Sequence, residues 1–253
     1  MKRLLKYDFY YLQKTSKIII FPVLLVMLAI ISPLTARYLN EILAFTLKGS
    51  GIIVDSTTPT VMESYSQYIG NLYELYLYVI IFVAVAMFIS DKTKGLLPLI
   101  ISKPISRTKY LLAKYFSLNL LLLGSLLIGS FVFDYYTYFI FGEVDILGMF
   151  YGTLLFFVYI IYITAITLFA STYSKSYLLA IVTSFGIMLF FGALRLFEVG
   201  ILKYIPSYLM DNIIAILTDT AKVSSIIYNL IFTLTISVVF IGLAITRFRK
   251  QDI

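Results

Sequence analysis

Six stretches of the chain are nearly unbroken apolar runs: Ile18–Ala36, Leu72–Ser90, Tyr110–Phe133, Met149–Ser171, Tyr177–Phe197 and Val223–Thr246. Each is 19 to 24 residues long, which suits one helical crossing of a bilayer, about 20 residues, and is too long for a strand. Hydrocarbon offers no partner to a backbone N–H or C=O, so such a run must satisfy its own backbone as a helix. The expected fold is therefore all-α, a polytopic membrane protein with six transmembrane helices. Composition agrees, with 61% of the 253 residues hydrophobic and only 13% charged. A soluble domain carries about a quarter charged residues, so a soluble protein, a disordered chain and a disulfide-rich secreted module are all excluded. The first run is not read as a cleavable signal, because its apolar core is too long and Ser32–Arg37 offers no clean small-x-small site.

The residue types that are missing narrow the chemistry. The chain has no Cys and no Trp, and it has no His. Disulfides, thiolate nucleophiles, histidine bases and Cys or His metal sites are thereby excluded. No metal site is expected.

Charge orients the chain. With an even number of crossings both termini lie on one side. That side carries Lys2, Arg3, Lys6, Lys14, Lys17, Lys92, Lys94, Lys103, Arg107, Lys109, Lys114, Lys175, Arg247, Arg249 and Lys250. These are 15 of the 20 basic residues, against three of the 13 acids, Asp8, Asp91 and Asp252. The two sides hold +12 and −5, which make up the net +7. Basic residues accumulate in cytoplasmic loops, so the chain is expected in the cell membrane with both termini cytoplasmic. The same sorting argues against nucleic acid as a partner, since the basic residues flank spans and form no continuous basic face. Their ordinary roles are topology and contact with membrane lipid.

The connections are unequal. Tyr38–Asn71 forms a longer external loop with turn signals at Gly49-Ser50-Gly51 and Thr58-Pro59. Thr172–Ser176 is a tight hairpin between the fourth and fifth spans. The external segment Glu198–Lys222 holds a short helix beginning near Pro206, a good first-turn residue. Residues 1–17 pattern as an N-terminal interfacial helix, with Leu5, Phe9 and Leu12 on one face and Lys2, Lys6 and Gln13 on another. A charged tail that only fixes topology fits that periodicity equally well. Residues 18–253 form the six-span domain. Pro22 and Pro33 each remove a backbone bond from the first span. Ser125 with Gly129, and Ala180 with Ser184, offer small-residue packing faces. Glu74, Asp134, Arg195 and Glu198 lie near external span ends, so no buried proton relay is indicated.

The most informative loop joins the second and third spans. It opens at Asp91, passes Gly95 and a short apolar run, and closes with Ser102-Lys103-Pro104-Ile105-Ser106-Arg107. This stretch resembles the first cytoplasmic loop of ABC-2 type permeases, whose pattern runs Glu-x-x-x-Gly-Thr, a short apolar helix, then Ser-x-Pro-[Ile/Val]-Ser-Arg. Asp91 stands in the Glu place and Leu96 in the Thr place; Lys114 matches a basic residue common at the start of the third span. The ending Arg247-Phe-Arg-Lys-Gln-Asp-Ile253 is similar to the family's Phe-basic-basic-x-Asp tail.

The resemblance implies that the chain is the permease subunit of an ATP-binding cassette exporter and is not itself an enzyme. It implies a coupling helix docked on a cytoplasmic ABC ATPase subunit, with Asp91, Lys94, Gly95, Leu97, Leu99, Ile100, Lys103, Pro104 and Arg107 as the coupling surface. Ser174 and Lys175 would make the second cytoplasmic contact. No GxxxxGK[ST] loop is present, so this chain holds no cofactor of its own, and ATP and Mg belong to the partner ATPase. The resemblance further implies pairing with a second permease, the same or a related chain. It places cavity walls on the second and fifth spans, where Tyr73, Tyr76, Phe82, Phe185, Met188, Phe190 and Phe191 are the substrate-pathway candidates. The cargo class it favours is amphiphilic: a hydrophobic peptide, an antibiotic or a lipid-like compound. Two other readings stay open on the residues alone: a non-transporting membrane scaffold or immunity protein, and a carboxylate-dependent intramembrane enzyme.

Overall fold

The computed structural model describes residues 2–46, 58–95, 97, 106–197 and 200–250. Among the described residues the protein is helical without strands. An N-terminal helix, α1 (Lys2–Lys14), turns through Thr15 and Ser16 into α2 (Lys17–Thr46). Ser16 takes the turn with a positive φ of 56°. Helix α3 (Val61–Asn71) passes through one π-helical stretch, Leu72–Tyr76, into α4 (Leu77–Thr93). Then follow α5 (Arg107–Phe141), α6 (Ile146–Tyr173), α7 (Tyr177–Ala193), a short α8 (Leu209–Leu217) and α9 (Val223–Arg249). Among the described residues, six helical segments are long and apolar enough to cross a membrane.

The crossings match the apolar runs, and all but the fifth are longer. The second runs from Val61 to Thr93 and the third from Arg107 to Phe141, so much of the expected external loop Tyr38–Asn71 is helix continuing its spans. The start at Val61 has a local cause. Thr60 caps the helix, and the Glu63 carboxylate accepts from the Thr60 N–H at 3.0 Å, closing a capping box. Thr58-Pro59 lies just before this cap, whereas Gly49-Ser50-Gly51 falls outside the described residues. The π-helical stretch adds a residue to one turn and re-phases the helix. Tyr73 then stacks on Tyr159 of α6, while Tyr76 meets Phe21 of α2 edge-on.

Helix α6 is the most buried span, and α7 and α9 are the most exposed. Helix α6 touches α4, α5, α7, α8 and α9, and α2 packs along α5. Small residues permit the closest approaches. A Cβ on Gly129 of α5 would come within 2.9 Å of Leu25 Cβ on α2, and one on Gly152 of α6 within 2.9 Å of Ile213 on α8. The Ser125 and Gly129 face is thus a packing face. The expected short helix near Pro206 is present, as a 3₁₀ turn Pro206–Tyr208 leading into α8.

Helix α1 is amphipathic and packs on α5. Leu12 is fully buried, whereas Lys6, Tyr7, Tyr10 and Lys14 are exposed. Its buried face also carries a carboxylate, Asp8.

Candidate functional site

The end of the bundle that holds α1 and the end of α9 gathers most of the unusual chemistry. The loop candidate of the sequence starts here. Helix α4 ends at Thr93; Lys94 donates its N–H to Ser90 O, and Gly95 donates to Lys92 O. Gly95 has φ +66°, and a Cβ there would meet no atom within 4 Å. Backbone conformation, not space, therefore demands glycine at this position.

Asp91, one turn earlier, is fixed from two sides. Lys114 Nζ of α5 lies 2.5 Å from its Oδ2, with the two side chains 4% and 14% exposed. The Tyr110 hydroxyl donates to the same oxygen. Lys114 also donates to Met87 O at 3.1 Å. The matched loop position therefore binds inward to the third span. Asp8 of α1 is the second acid at this cluster and is 3% exposed. Burial raises its pKa to about 6 and the Asp91 charge adds to the rise, while Lys114 and a hydrogen bond with Ser117 oppose it. One lysine thus faces two carboxylates from different elements. The sequence counted Asp8 only as an acid on the basic side, although its spacing from Leu5 and Leu12 places it on the apolar face of α1.

The other loop candidates are held by neighbouring span ends or lie exposed. Lys92 Nζ donates to Ser174 O at 2.8 Å, joining the end of α4 to the end of α6. Ser174 is buried and Lys175 exposed. Leu97 is buried in an apolar cluster with Tyr110, Leu111, Leu168, Ala244 and Phe248, so this loop residue seats among α5, α6 and α9. Arg107 Nη1 donates to Arg249 O at 3.0 Å, a bond to the last helix. Lys94 is exposed. Leu99, Ile100, Lys103 and Pro104 lie outside the described residues.

The pathway candidates divide. Phe82, Phe185 and Phe190 lie on the outer surface of α4 and α7; Phe82 and Phe190 are exposed, and Phe185 stands edge-on to both Phe82 and Tyr78. Phe191 is half-buried against Tyr162, and Tyr73 is half-buried against Tyr159. Tyr76 and Met188 are buried within the subunit. Tyr76 faces α2, where it meets Phe21 edge-on.

At the opposite end, Arg195 and Asp211 form an exposed ion pair at 2.6 Å. Asp145 caps α6 by accepting from Gly148 N at 2.9 Å. Asp134 is half-buried on α5 and keeps one carboxylate oxygen without a hydrogen-bond partner. Among the described residues no group of three or more acids could hold a metal ion.

This geometry joins six spans, an amphipathic N-terminal helix and an acid-led loop anchored to the third span. The profile of the ABC-2 family transporter proteins matches residues 32–246. The chain belongs to the ABC-2 transporter family. The match covers all but part of the first crossing and the end of the last, so it describes the membrane domain as a whole and not the loop alone. Comparison with curated proteins yields no match. As an ABC-2 permease the chain is a membrane component of a transporter, which accounts for a fold built almost wholly of spans.

Proposed function

We propose that this permease exports an amphiphilic cargo and takes its energy from a separate cytoplasmic ATPase subunit docked on the loop between α4 and α5. The observation that carries the reading is the anchorage of that loop. Asp91 at its start is bonded to α5, Leu97 within it is seated among α5, α6 and α9, and Lys92 beside it is bonded to the end of α6. A push on the loop would therefore reach three other spans through short, well-packed contacts. Proposed with it are a cytoplasmic location of both termini, where the basic residues lie, and pairing with a second permease. ATP and its Mg would be held by the ATPase, since this chain has no phosphate-cradling loop.

The cargo reading is supported by the aromatic face that α4 and α7 share, where Tyr78, Phe82 and Phe185 adjoin and Phe190 is exposed. Such a face takes an apolar body, while the polar part of an amphiphile stays near a span end. The test is purification of the tagged chain from native membranes, followed by mass spectrometry and ATP-hydrolysis assays in nanodiscs. The expected result is a co-purifying cassette ATPase whose hydrolysis changes on binding the permease. Gly95→Val, which strains the loop at its positive φ, should reduce that change. Absence of any ATPase, or full coupling in Gly95→Val and Arg107→Ala, would dismiss coupling through this loop.

A further inference from the structure

Three consecutive residues at the end of α9 contact the end of α6, the start of α5 and, within the loop, Leu97. Arg247 lies over the Tyr173 ring at the end of α6, 5.4 Å from its centroid. Phe248 is buried, stacks on Tyr110 with ring centroids 6.1 Å apart and planes 18° from parallel, and shares its cluster with Leu97. The backbone carbonyl of Arg249 accepts from Arg107 at 3.0 Å, while its side-chain Nε donates to Thr108 Oγ1 at 2.9 Å.

A basic tail that only sets topology would be solvated and would fray, because the last carbonyls of a helix have no partners within it. Here the end of α9 is clasped at both main chain and side chain by the first turn of α5. Two arginines are brought together despite like charge, which costs Coulomb energy. The clasp satisfies a terminal carbonyl with a charged donor, a strong kind of hydrogen bond, and Phe248 contributes burial. Through Tyr110 the contact continues to Asp91, where the loop begins.

We propose that Phe248 and Arg249 are positioning residues for energy coupling: they clamp the end of the last span to the start of the third span and to Leu97, so that a movement of the loop is delivered to α9. This rests on the coupling role proposed for the loop.

The chain contains no cysteine, so one introduced thiol carries a unique label. A fluorophore is attached at Val238→Cys, exposed on α9, or at Leu120→Cys, exposed on α5. Each labelled permease is reconstituted in nanodiscs with its ATPase subunit and followed on addition of ATP. Without further change, both labels respond. With Phe248→Ala, the α9 response falls about fivefold or more, the lower end of a typical coupling between sites, while ATPase binding and the α5 response persist. Arg249→Ala, which leaves the buried Phe248 in place, gives the same pattern, and Arg249→Lys restores the response. An undiminished α9 response in both alanine variants overturns the proposal. So does equal loss of both responses, which marks general damage. Failure of either label to respond before any clamp substitution sinks the coupling reading itself, a different outcome.

Discussion

Replacing Lys114 by Met tests the buried cluster most directly. Met has nearly the length of Lys and no charge. It would leave Asp91 with the Tyr110 hydroxyl and the charge of exposed Lys94 but no bonded cation, and would remove the lysine charge that acts on Asp8. The pair is 2.5 Å apart, and both side chains are well shielded from water, so screening removes little of its energy. Removing one partner of such a pair costs about 3–5 kcal/mol, because the other charge stays buried and uncompensated. Removing both costs far less. A double-mutant cycle of Lys114→Met and Asp91→Asn should therefore show an interaction energy of about 2 kcal/mol or more, well above the roughly 0.5 kcal/mol scatter of independent sites. Equilibrium unfolding in mixed detergent–SDS micelles measures all four corners. A Lys114→Met cost below about 1 kcal/mol, the value of an exposed pair, would refute the reasoning. Additivity within the scatter would do so as well.

Three further outcomes are expected. Asp8 holds its proton to about pH 6 in the folded protein against 3.8 for the ordinary carboxyl, so the folded state binds that proton more tightly. Stability from this group is present at low pH and lost as pH rises from about 4 to 6, by at most about 3 kcal/mol; unfolding curves of Asp8→Asn should lack this slope, and an unchanged slope would reassign it. Gly129→Ala should destabilise by about 1–3 kcal/mol through overpacking against Leu25, read in the same unfolding assay, and a neutral result would mean that α2 and α5 separate easily. Tyr76→Phe removes a buried hydroxyl with no hydrogen-bond partner and should stabilise by about 1 kcal/mol, leaving cargo-stimulated ATP hydrolysis unchanged; loss of that stimulation would place the Tyr76 hydroxyl in the pathway.

Much of this protein is local and therefore legible in its sequence. Apolar runs such as Met149–Ser171 can satisfy their backbone in lipid only as helices, so number, order and approximate place of the spans follow directly. Gly95 and the Thr172–Ser176 turn were likewise visible, because they depend on their own backbone and neighbours. Boundaries fared less well. Val61–Asn71 is polar enough to look like loop, yet a capping box and packing against α2 make it part of the second crossing.

Tertiary structure alone decided which side of each span faces which neighbour. The runs are apolar all round, so their sequences carry almost no signal for rotation about the helix axis. Nothing in the order of residues separates buried Tyr76 from exposed Phe82, and a single π-helical stretch changes the phase between α3 and α4. The pairing of Asp91 with Lys114, the burial of Asp8, and the clasp of Arg249 by Arg107 and Thr108 join residues distant in sequence. Composition sorted these charges to one end of the molecule, and packing then chose their partners.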